Sequence, residues 1–219
     1  MAGSRIPGSL GIGNNMPTID KGTNARIASP PPGPLGLKKD QTQLAIAQSD
    51  INASDAGAKR LREIRNLVRE NNQSSIDDNV IICQIYMESR FDANAKASGS
   101  TARGLMQLLK APVRELYRIR NLKKPKSERQ SDEKVFAEAD RFHDSDEFVD
   151  EATNIQTGTE YLQYLIDKET NKGGKDPITE AYKDYRGVRN GIYYNKIKRA
   201  ADQLAKDPNS MQPLLDMVK

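Results

Sequence analysis

The strongest hydrophobic signal in the chain is an almost continuous apolar run over residues 80–87. A helix of this composition would be buried nearly all round. Ser75, Asp77 and Asp78 stand just before the run and provide an N-terminal cap and negative charge for the first helical turn. The pattern therefore predicts a core helix that ends at an acidic side chain, Glu88.

Helical spacing also marks most of the chain beyond residue 40, and no run of alternating residues predicts a strong strand. Further helices are predicted within residues 41–71, over 104–120, across 148–165, over 192–204 and over 211–218. Their apolar stripes include Leu61, Ile64, Leu67 and Val68 in the first of these segments and Phe148, Ala152, Ile155, Leu162 and Leu165 in the third. We therefore expect a mainly α fold with at most a small β ribbon.

Three ordered sequence blocks indicate what this fold does. The first leads from Glu88 to Gly-Leu-Met-Gln at residues 104–107, the second spans residues 154–162, and the third joins Ala181-Tyr182 to Gly187. The distinctive positions are Glu88, Ser89, Phe91, Ala95, Ser98, Ala102, Gly104, Leu105, Met106 and Gln107, followed by Asn154, Ile155, Gly158, Tyr161 and Leu162. In this order they resemble the soluble lytic transglycosylase family, the goose-type-lysozyme-like enzymes that cut the glycan strands of peptidoglycan. In the second block, Asn154 and Gly158 are expected to fix helix packing behind the cleft.

The resemblance implies a lysozyme-like helical domain with one catalytic acid, Glu88. Enzymes of this family cleave the β-1,4 bond between N-acetylmuramic acid and N-acetylglucosamine. One glutamate serves as acid and then as base, the substrate's acetamido group assists, and 1,6-anhydro ends are released. The glutamate must hold a proton for the leaving oxygen, which requires a raised pKa. Burial at the end of the apolar run would raise the pKa of Glu88 in this way.

The resemblance also implies a set of substrate-binding residues. The candidates are Ser98, Met106, Gln107, Tyr182, Asp184 and Tyr185. Positions matching Ser98 and Gln107 hydrogen-bond the sugar and steady the acid. The position matching Tyr182 lies across from Glu88 and can donate a hydrogen bond to it. Met106 is expected either to contact a sugar face or to pack in the core.

The third block departs from the family pattern and leaves the reaction outcome open. Where the family has Ala-Tyr-Asn-Ala-Gly, this chain has Lys183 for the asparagine and Asp184 after it. Asp184 could activate water and give a hydrolytic muramidase, or it could form a surface ion pair with Lys183 or Arg186. A remote alternative is a catalytically inactive glycan-binding scaffold, which would not need a half-buried acid. The loop from Glu88 to Gln107 is also one residue longer than usual in the family.

Composition agrees with a modest enzyme and argues against metal chemistry. Of the 219 residues, 36% are hydrophobic and 29% charged, so one domain with some uncored sequence is expected. The single cysteine, Cys83, lies in the apolar run and is predicted to be a buried hydrophobe. The single histidine, His143, lies among acids at residues 140–146 and is predicted to be a solvated loop residue. We therefore expect neither a metal site nor a cofactor.

Proline, glycine and charge divide the chain into regions. Residues 1–40 are rich in proline and glycine and poor in large apolar groups, which predicts a disordered tail. Residues 41–75 are expected to form a helical lead-in and residues 76–219 the catalytic domain. Within that domain, residues 110–151 are basic in their first half and acidic in their second. This segregation predicts either a helical hairpin whose charges pair with each other or a binding site.

The tail also bears on location. It repeats the motif Pro-Gly-x-Leu-Gly-aliphatic at residues 7–12 and 32–37. Its five basic and two acidic residues supply +3 of the net charge of +4, so no basic face for nucleic acid is expected. The residues after Arg5 do not form the apolar region of a secretory signal, and no apolar run is long enough to span a bilayer.

These features predict a protein made in the cytoplasm that acts in the periplasm or cell wall after specialised export. We interpret it as an antibacterial effector of a secretion system, with a wall-lysis protein of a secretion apparatus or a phage as the alternative. The expected partners are peptidoglycan strands, a secretion carrier or chaperone that binds residues 1–40, and an immunity or inhibitor protein.

Overall fold

The computed structural model describes the backbone of residues 38–219 and the side chains from residue 54 onward. The repeated Pro-Gly motif and the rest of residues 1–37 lie outside the described residues. The described part contains eight α-helices: α1 Lys38–Asn71, α2 Asp78–Ser89, α3 Lys110–Leu122, α4 Asp132–Asp144, α5 Glu151–Asn171, α6 Pro177–Arg186, α7 Ile192–Leu204 and α8 Gln212–Met217. Short 3-10 turns occur at Lys126–Glu128 and Glu147–Val149.

The prediction of a mainly α fold is confirmed. Within residues 38–219 the β structure consists of two isolated antiparallel bridges, one between Lys96 and Arg103 and one between Arg103 and Leu108. They join the loop after α2 to the turn before α3. None of the helices in this part of the chain combines the length and the hydropathy needed to cross a lipid bilayer. The division of the chain at residues 40 and 75 stays a prediction.

The core is built around α2, whose apolar run is buried on nearly every side. Ile81, Ile82, Cys83 and Ile85 have no exposed surface, as the run predicted. The same cluster contains Leu61, Ile64 and Val68 of α1, Leu162 of α5, Tyr182 of α6, Ile197 of α7 and Leu214 of α8. Burial raises the pKa of the Cys83 thiol to about 12, so this group stays protonated and acts as a small apolar side chain.

Backbone geometry at its two ends fixes the length of α2. Asp77 caps the first turn, where its carboxylate accepts a hydrogen bond from the amide of Asn79 at 2.9 Å. After the last turn, Arg90 and Phe91 both have positive φ, 56° and 67°. Two consecutive left-handed residues turn the chain sharply away from the helix axis. Glu88 therefore lies in the last turn of a helix that is buried up to its end.

The start of α3 differs from the prediction of a helix from residue 104. The helix begins at Lys110, because residues 104–109 form a turn that is hydrogen-bonded to the buried side chain of Asn154 on α5. Pro112 lies in the first turn of α3, where its missing N–H costs no helical hydrogen bond. The turn brings Gln107 close to the end of α2.

The charged segment forms a hairpin of α3 and α4 whose charges pair with each other, which is the first of the two alternatives predicted for it. The Lys110 ammonium lies 2.7 Å from the Asp144 carboxylate, and the Arg114 guanidinium lies 2.5 Å from the Asp140 carboxylate. A small apolar cluster of Leu108, Val113, Ala139 and Phe148 lies beneath these pairs. The hairpin is therefore a packed part of the domain.

The prediction of a solvated loop position for His143 is wrong. The residue lies in the last turn of α4 and is 1% exposed. Its Nε2 is 3.1 Å from the carbonyl oxygen of Leu108, and its ring centroid is 4.5 Å from that of Phe148. The neighbouring acids face the cations of α3, which leaves the histidine on the inner face of α4.

Candidate active site

Glu88 lies in a cavity of about 330 Å³ at the end of α2. The side chain is half-buried, and α2, the loop after it, α3 and α6 all contribute to the walls. The lining residues are Met87, Glu88, Ala97, Ser100, Ala102, Gln107, Leu108, Leu109, Pro112, Tyr185 and Arg186. Glu88 is the one carboxylic acid among them.

The surroundings of Glu88 favour its protonated form. Burial raises the pKa of this carboxyl group above its ordinary value. A hydrogen bond from the Tyr193 hydroxyl and the positive charges of Arg186 and Arg90 act in the opposite direction, but burial has the larger effect. The group is thus a carboxylic acid that can hold a proton at a pH where an exposed glutamate has lost it.

The tyrosine in contact with Glu88 is Tyr193, where the sequence predicted Tyr182. The Tyr193 hydroxyl donates to Oε1 of Glu88 from the first turn of α7. Tyr182 is 1% exposed, and its hydroxyl donates to Oε1 of Gln84, one turn before Glu88, at 3.1 Å. Tyr182 therefore braces α2 from within the core and is too deeply buried to bind a sugar.

The signal for Tyr193 in the sequence is weak. A pair of tyrosines opens the predicted helix over residues 192–204, and nothing in that pattern points to an acid 105 positions earlier. The sequence alone predicts Arg186 only as an ion-pair partner of Asp184. Its place on the wall of the cavity depends on how α6 packs beside α2, which local sequence does not reveal.

Gln107 is brought to the cavity by a tight turn. The residue has a φ of 48°, and its side-chain amide donates to the carbonyl oxygens of Ala95 and Gly104, both at 2.9 Å. These two bonds hold the amide between the loop after α2 and the turn, and its oxygen accepts no hydrogen bond from the residues that the structure describes. Gln107 and Glu88 line the same cavity, and the role of Gln107 in binding a sugar stays a prediction.

Asn154 and Gly158 of α5 explain why this turn needs small residues. Oδ1 of Asn154 accepts from the amide of Met106 at 2.9 Å. Gly104 has a φ of 77°, and a Cβ there would lie 2.3 Å from the Asn154 side chain. A Cβ at Gly158 would lie 2.4 Å from the sulfur of Met106. Both residues of α5 hold the turn from behind, as predicted.

Met106 packs in the core, which is one of the two roles predicted for it and removes it from the candidate substrate-binding residues. Its side chain has no exposed surface and rests on Gly158. Its carbonyl oxygen accepts from the Tyr185 hydroxyl at 3.0 Å. Apolar surface in the cavity is supplied instead by Met87, Leu109 and Pro112, and Leu109 is 41% exposed.

The loop between Glu88 and Gln107 places a different serine at the cavity from the predicted one. Ser98 is exposed and lies outside the cavity lining, whereas Ser100 is part of it. The Ser100 hydroxyl accepts from the amide of Ala102 at 3.1 Å. The additional residue in this loop is the available signal for such a shift in register.

Asp184 lies outside the cavity lining and forms an ion pair, although with other partners than those predicted. Its carboxylate lies 3.1 Å from the Lys168 ammonium and 2.7 Å from the Arg189 guanidinium. Lys183 pairs with Glu180 instead, at 2.6 Å. By contrast, Tyr185 does line the cavity, as predicted.

An all-helical domain with a half-buried acid in a cleft has the form of a lysozyme-like glycan-cleaving domain. Residues 66–186 match the sequence model of the Transglycosylase SLT domain, so the chain belongs to the SLT family of peptidoglycan-cleaving transglycosylases. Comparison with curated proteins and with solved structures gave no match. The matched region contains the first two sequence blocks and all of the third except its last residue, Gly187. Tyr193 lies beyond the matched region.

Proposed function

We propose that this protein is a lytic transglycosylase in which Glu88 is the general acid and then the general base. The bond cleaved is the β-1,4 linkage between N-acetylmuramic acid and N-acetylglucosamine, and the product carries a 1,6-anhydro end. The observation that carries this proposal is the environment of Glu88: burial raises its pKa, and the cavity beside it is open to a ligand.

In the first step, protonated Glu88 gives its proton to the glycosidic oxygen as the bond from that oxygen to C1 breaks. The Tyr193 hydroxyl donates to Oε1 and holds the carboxyl group in one orientation. Oε2 forms no hydrogen bond with any residue in the described part of the chain, which leaves it for the leaving oxygen. An acid transfers its proton only within hydrogen-bond reach of the atom that it protonates, and a fixed orientation of the carboxyl group favours that approach.

The second step needs no second carboxylate. The carbonyl oxygen of the substrate's acetamido group would stabilise C1 after cleavage, and the C6 hydroxyl would then attack C1 and return its proton to ionised Glu88. Glycosidases that activate water or form a glycosyl–enzyme ester use a second carboxylate near the bond. Glu88 is the one acid lining the cavity, and Asp184 is held by Lys168 and Arg189, which supports the intramolecular route.

Glu88→Gln tests this proposal. Glutamine keeps the size of the side chain but cannot deliver a proton, so cleavage of purified peptidoglycan should fall by at least about a hundredfold. Asp184→Asn is the matched control, because it removes one carboxylate outside the cavity and should retain most of the activity. Near-full activity of the Glu88 variant would refute the mechanism. A comparable loss in the Asp184 variant, with the fold intact, would favour a hydrolytic muramidase.

We also propose that the protein is a secretion-system effector and reaches the cell wall by assisted export through its N-terminal tail. The support is the repeated Pro-Gly-x-Leu-Gly motif at residues 7–12 and 32–37, which would dock to a carrier or chaperone. Deletion of residues 1–37 should leave cleavage of purified peptidoglycan unchanged and reduce export from the producing cell. Undiminished export of the truncated protein would refute this role of the tail.

A further inference from the structure

One cation, Arg186, lines the cavity that contains Glu88. It is the last residue of α6 and is exposed. Its guanidinium carbon lies 5.5 Å from the ring centroid of Tyr193, the tyrosine whose hydroxyl binds Glu88. The positive charge therefore lies beside the acid, at the entrance to the cavity.

Lys183 and Arg189, the cations three positions before and after Arg186, have acidic partners, whereas Arg186 has none among the described residues. Lys183 pairs with Glu180 at 2.6 Å, and Arg189 pairs with Asp184 at 2.7 Å. Among the side chains that the structure describes, none forms a hydrogen bond or an ion pair with the Arg186 guanidinium. Its five N–H donors are thus directed to solvent and to whatever enters the cavity.

The charge of Arg186 also works against the chemistry expected of Glu88. Burial raises the pKa of the acid, and the field of Arg186 opposes that rise by favouring the ionised form. A positive charge at this place lowers the fraction of Glu88 that carries a proton, unless a ligand neutralises the charge. An anionic group on the ligand would remove that conflict, because it would pair with the guanidinium as the substrate binds.

We propose that Arg186 is a specificity-determining residue that binds a carboxylate of the muramoyl residue next to the scissile bond. Muramic acid carries a lactyl group whose carboxyl is free in peptide-free strands, whereas in intact strands it is amide-linked to a peptide with carboxylates of its own. The planar guanidinium can hold either carboxylate through two parallel hydrogen bonds. This proposal rests on the proposed function, since it names a feature of the same substrate.

Binding measured in the Glu88→Gln background separates recognition from cleavage. The ligands are soluble glycan oligomers of three kinds: peptide-free, peptide-bearing, and peptide-free with the lactyl carboxyls converted to methylamides. The variants add Arg186→Gln, Arg186→Lys or Arg189→Gln to Glu88→Gln. Arg189→Gln is the matched control, because it removes one exposed arginine three positions away, outside the cavity lining.

Arg186→Gln should weaken binding of carboxylate-bearing strands by about tenfold, the scale of one charge-assisted pair at a partly exposed site. Binding of the methylamide strands should not change, Arg186→Lys should give an intermediate loss, and Arg189→Gln should have no effect. An effect confined to peptide-free strands identifies the lactyl carboxylate, and one confined to peptide-bearing strands identifies the peptide.

Equal weakening of all three ligands by Arg186→Gln, no weakening of any of them, or no binding to begin with would overturn the proposal. Cleavage by the protein with Glu88 intact is measured on the same oligomers. If that protein fails to cleave them while the Arg186-dependent binding is present, the proposed function falls and carboxylate recognition stands. If it cleaves them and binding does not depend on Arg186, the reverse holds.

Discussion

Gly104→Ala should destabilise the domain far more than Gly99→Ala, although the two glycines have similar backbone conformations. Their φ angles are 77° and 70°, so alanine at either position is strained by about 1–2 kcal/mol. They differ in their surroundings. A Cβ at residue 99 would meet nothing within 4 Å, whereas a Cβ at residue 104 would lie 2.3 Å from Nδ2 of Asn154.

The side chain of Asn154 cannot move aside without further loss. It is fully buried, its Oδ1 accepts from the Met106 amide at 2.9 Å, and its Nδ2 donates to the Phe148 carbonyl at 3.0 Å. Each buried group left unpaired costs about 1–3 kcal/mol. Two buried groups, the Met106 amide and the Phe148 carbonyl, would lose their partner, so Gly104→Ala should cost about 3–8 kcal/mol in total and Gly99→Ala only the strain of about 1–2 kcal/mol.

Thermal unfolding of the two variants measures this difference. The two unpaired groups make Gly104→Ala about 2–6 kcal/mol less stable than Gly99→Ala. In a domain of this size each kcal/mol lowers Tm by about 2–4 °C, so Gly104→Ala should melt roughly 4–24 °C below Gly99→Ala. Cleavage of peptidoglycan should also fall in Gly104→Ala, because the same turn carries Gln107 into the cavity. Equal losses of Tm would show that Asn154 does not hold the turn, and the account of the second sequence block would be wrong.

Two further predictions concern Glu88. Tyr193→Phe removes the hydrogen bond that favours the ionised acid, so the pKa of Glu88 should rise and the alkaline limb of the pH–rate profile should move to higher pH. The control is Tyr182→Phe, which loses a hydrogen bond to Gln84. It should lower the free energy of unfolding by about 1–2 kcal/mol and leave the alkaline limb unmoved. Glu88→Gln should raise Tm at neutral pH, because the folded pKa of the acid lies above its unfolded value and folding disfavours the ionised form. This increase in Tm should vanish once the pH falls below the unfolded pKa of about 4.3. An increase that persists in acid would contradict a raised pKa of Glu88 as its cause.

The elements that the sequence predicted well are those with a continuous local signal. The apolar run at residues 80–87 is sufficient to identify α2, its burial and the acid at its end, because a helix without a polar face must lie in the core. The spacing of Asn154 and Gly158 likewise indicated close packing behind the cleft. In each case the information lies within one helix or one turn.

The residues that the sequence did not reveal depend on packing between distant segments. Tyr193 contacts Glu88 across 105 positions, and the order of helices alone does not show which of several tyrosines faces the acid. The burial of His143 arises because its acidic neighbours turn toward α3 and leave the ring against Phe148. Ser100 lines the cavity where Ser98 was predicted, because the position of each residue in an irregular loop is not constrained by any periodicity in the sequence.

The end groups of the cleavage products distinguish a lytic transglycosylase from a hydrolase. Purified peptidoglycan treated with the unmodified protein should give muropeptides with 1,6-anhydro-muramoyl ends, each lighter by one water than the hydrolytic product, and no new reducing ends. The same products should come from Asp184→Asn, and Glu88→Gln should release them at least about a hundredfold more slowly. New reducing ends from the unmodified protein, detected by mass spectrometry, would contradict a transglycosylase that works with Glu88 alone.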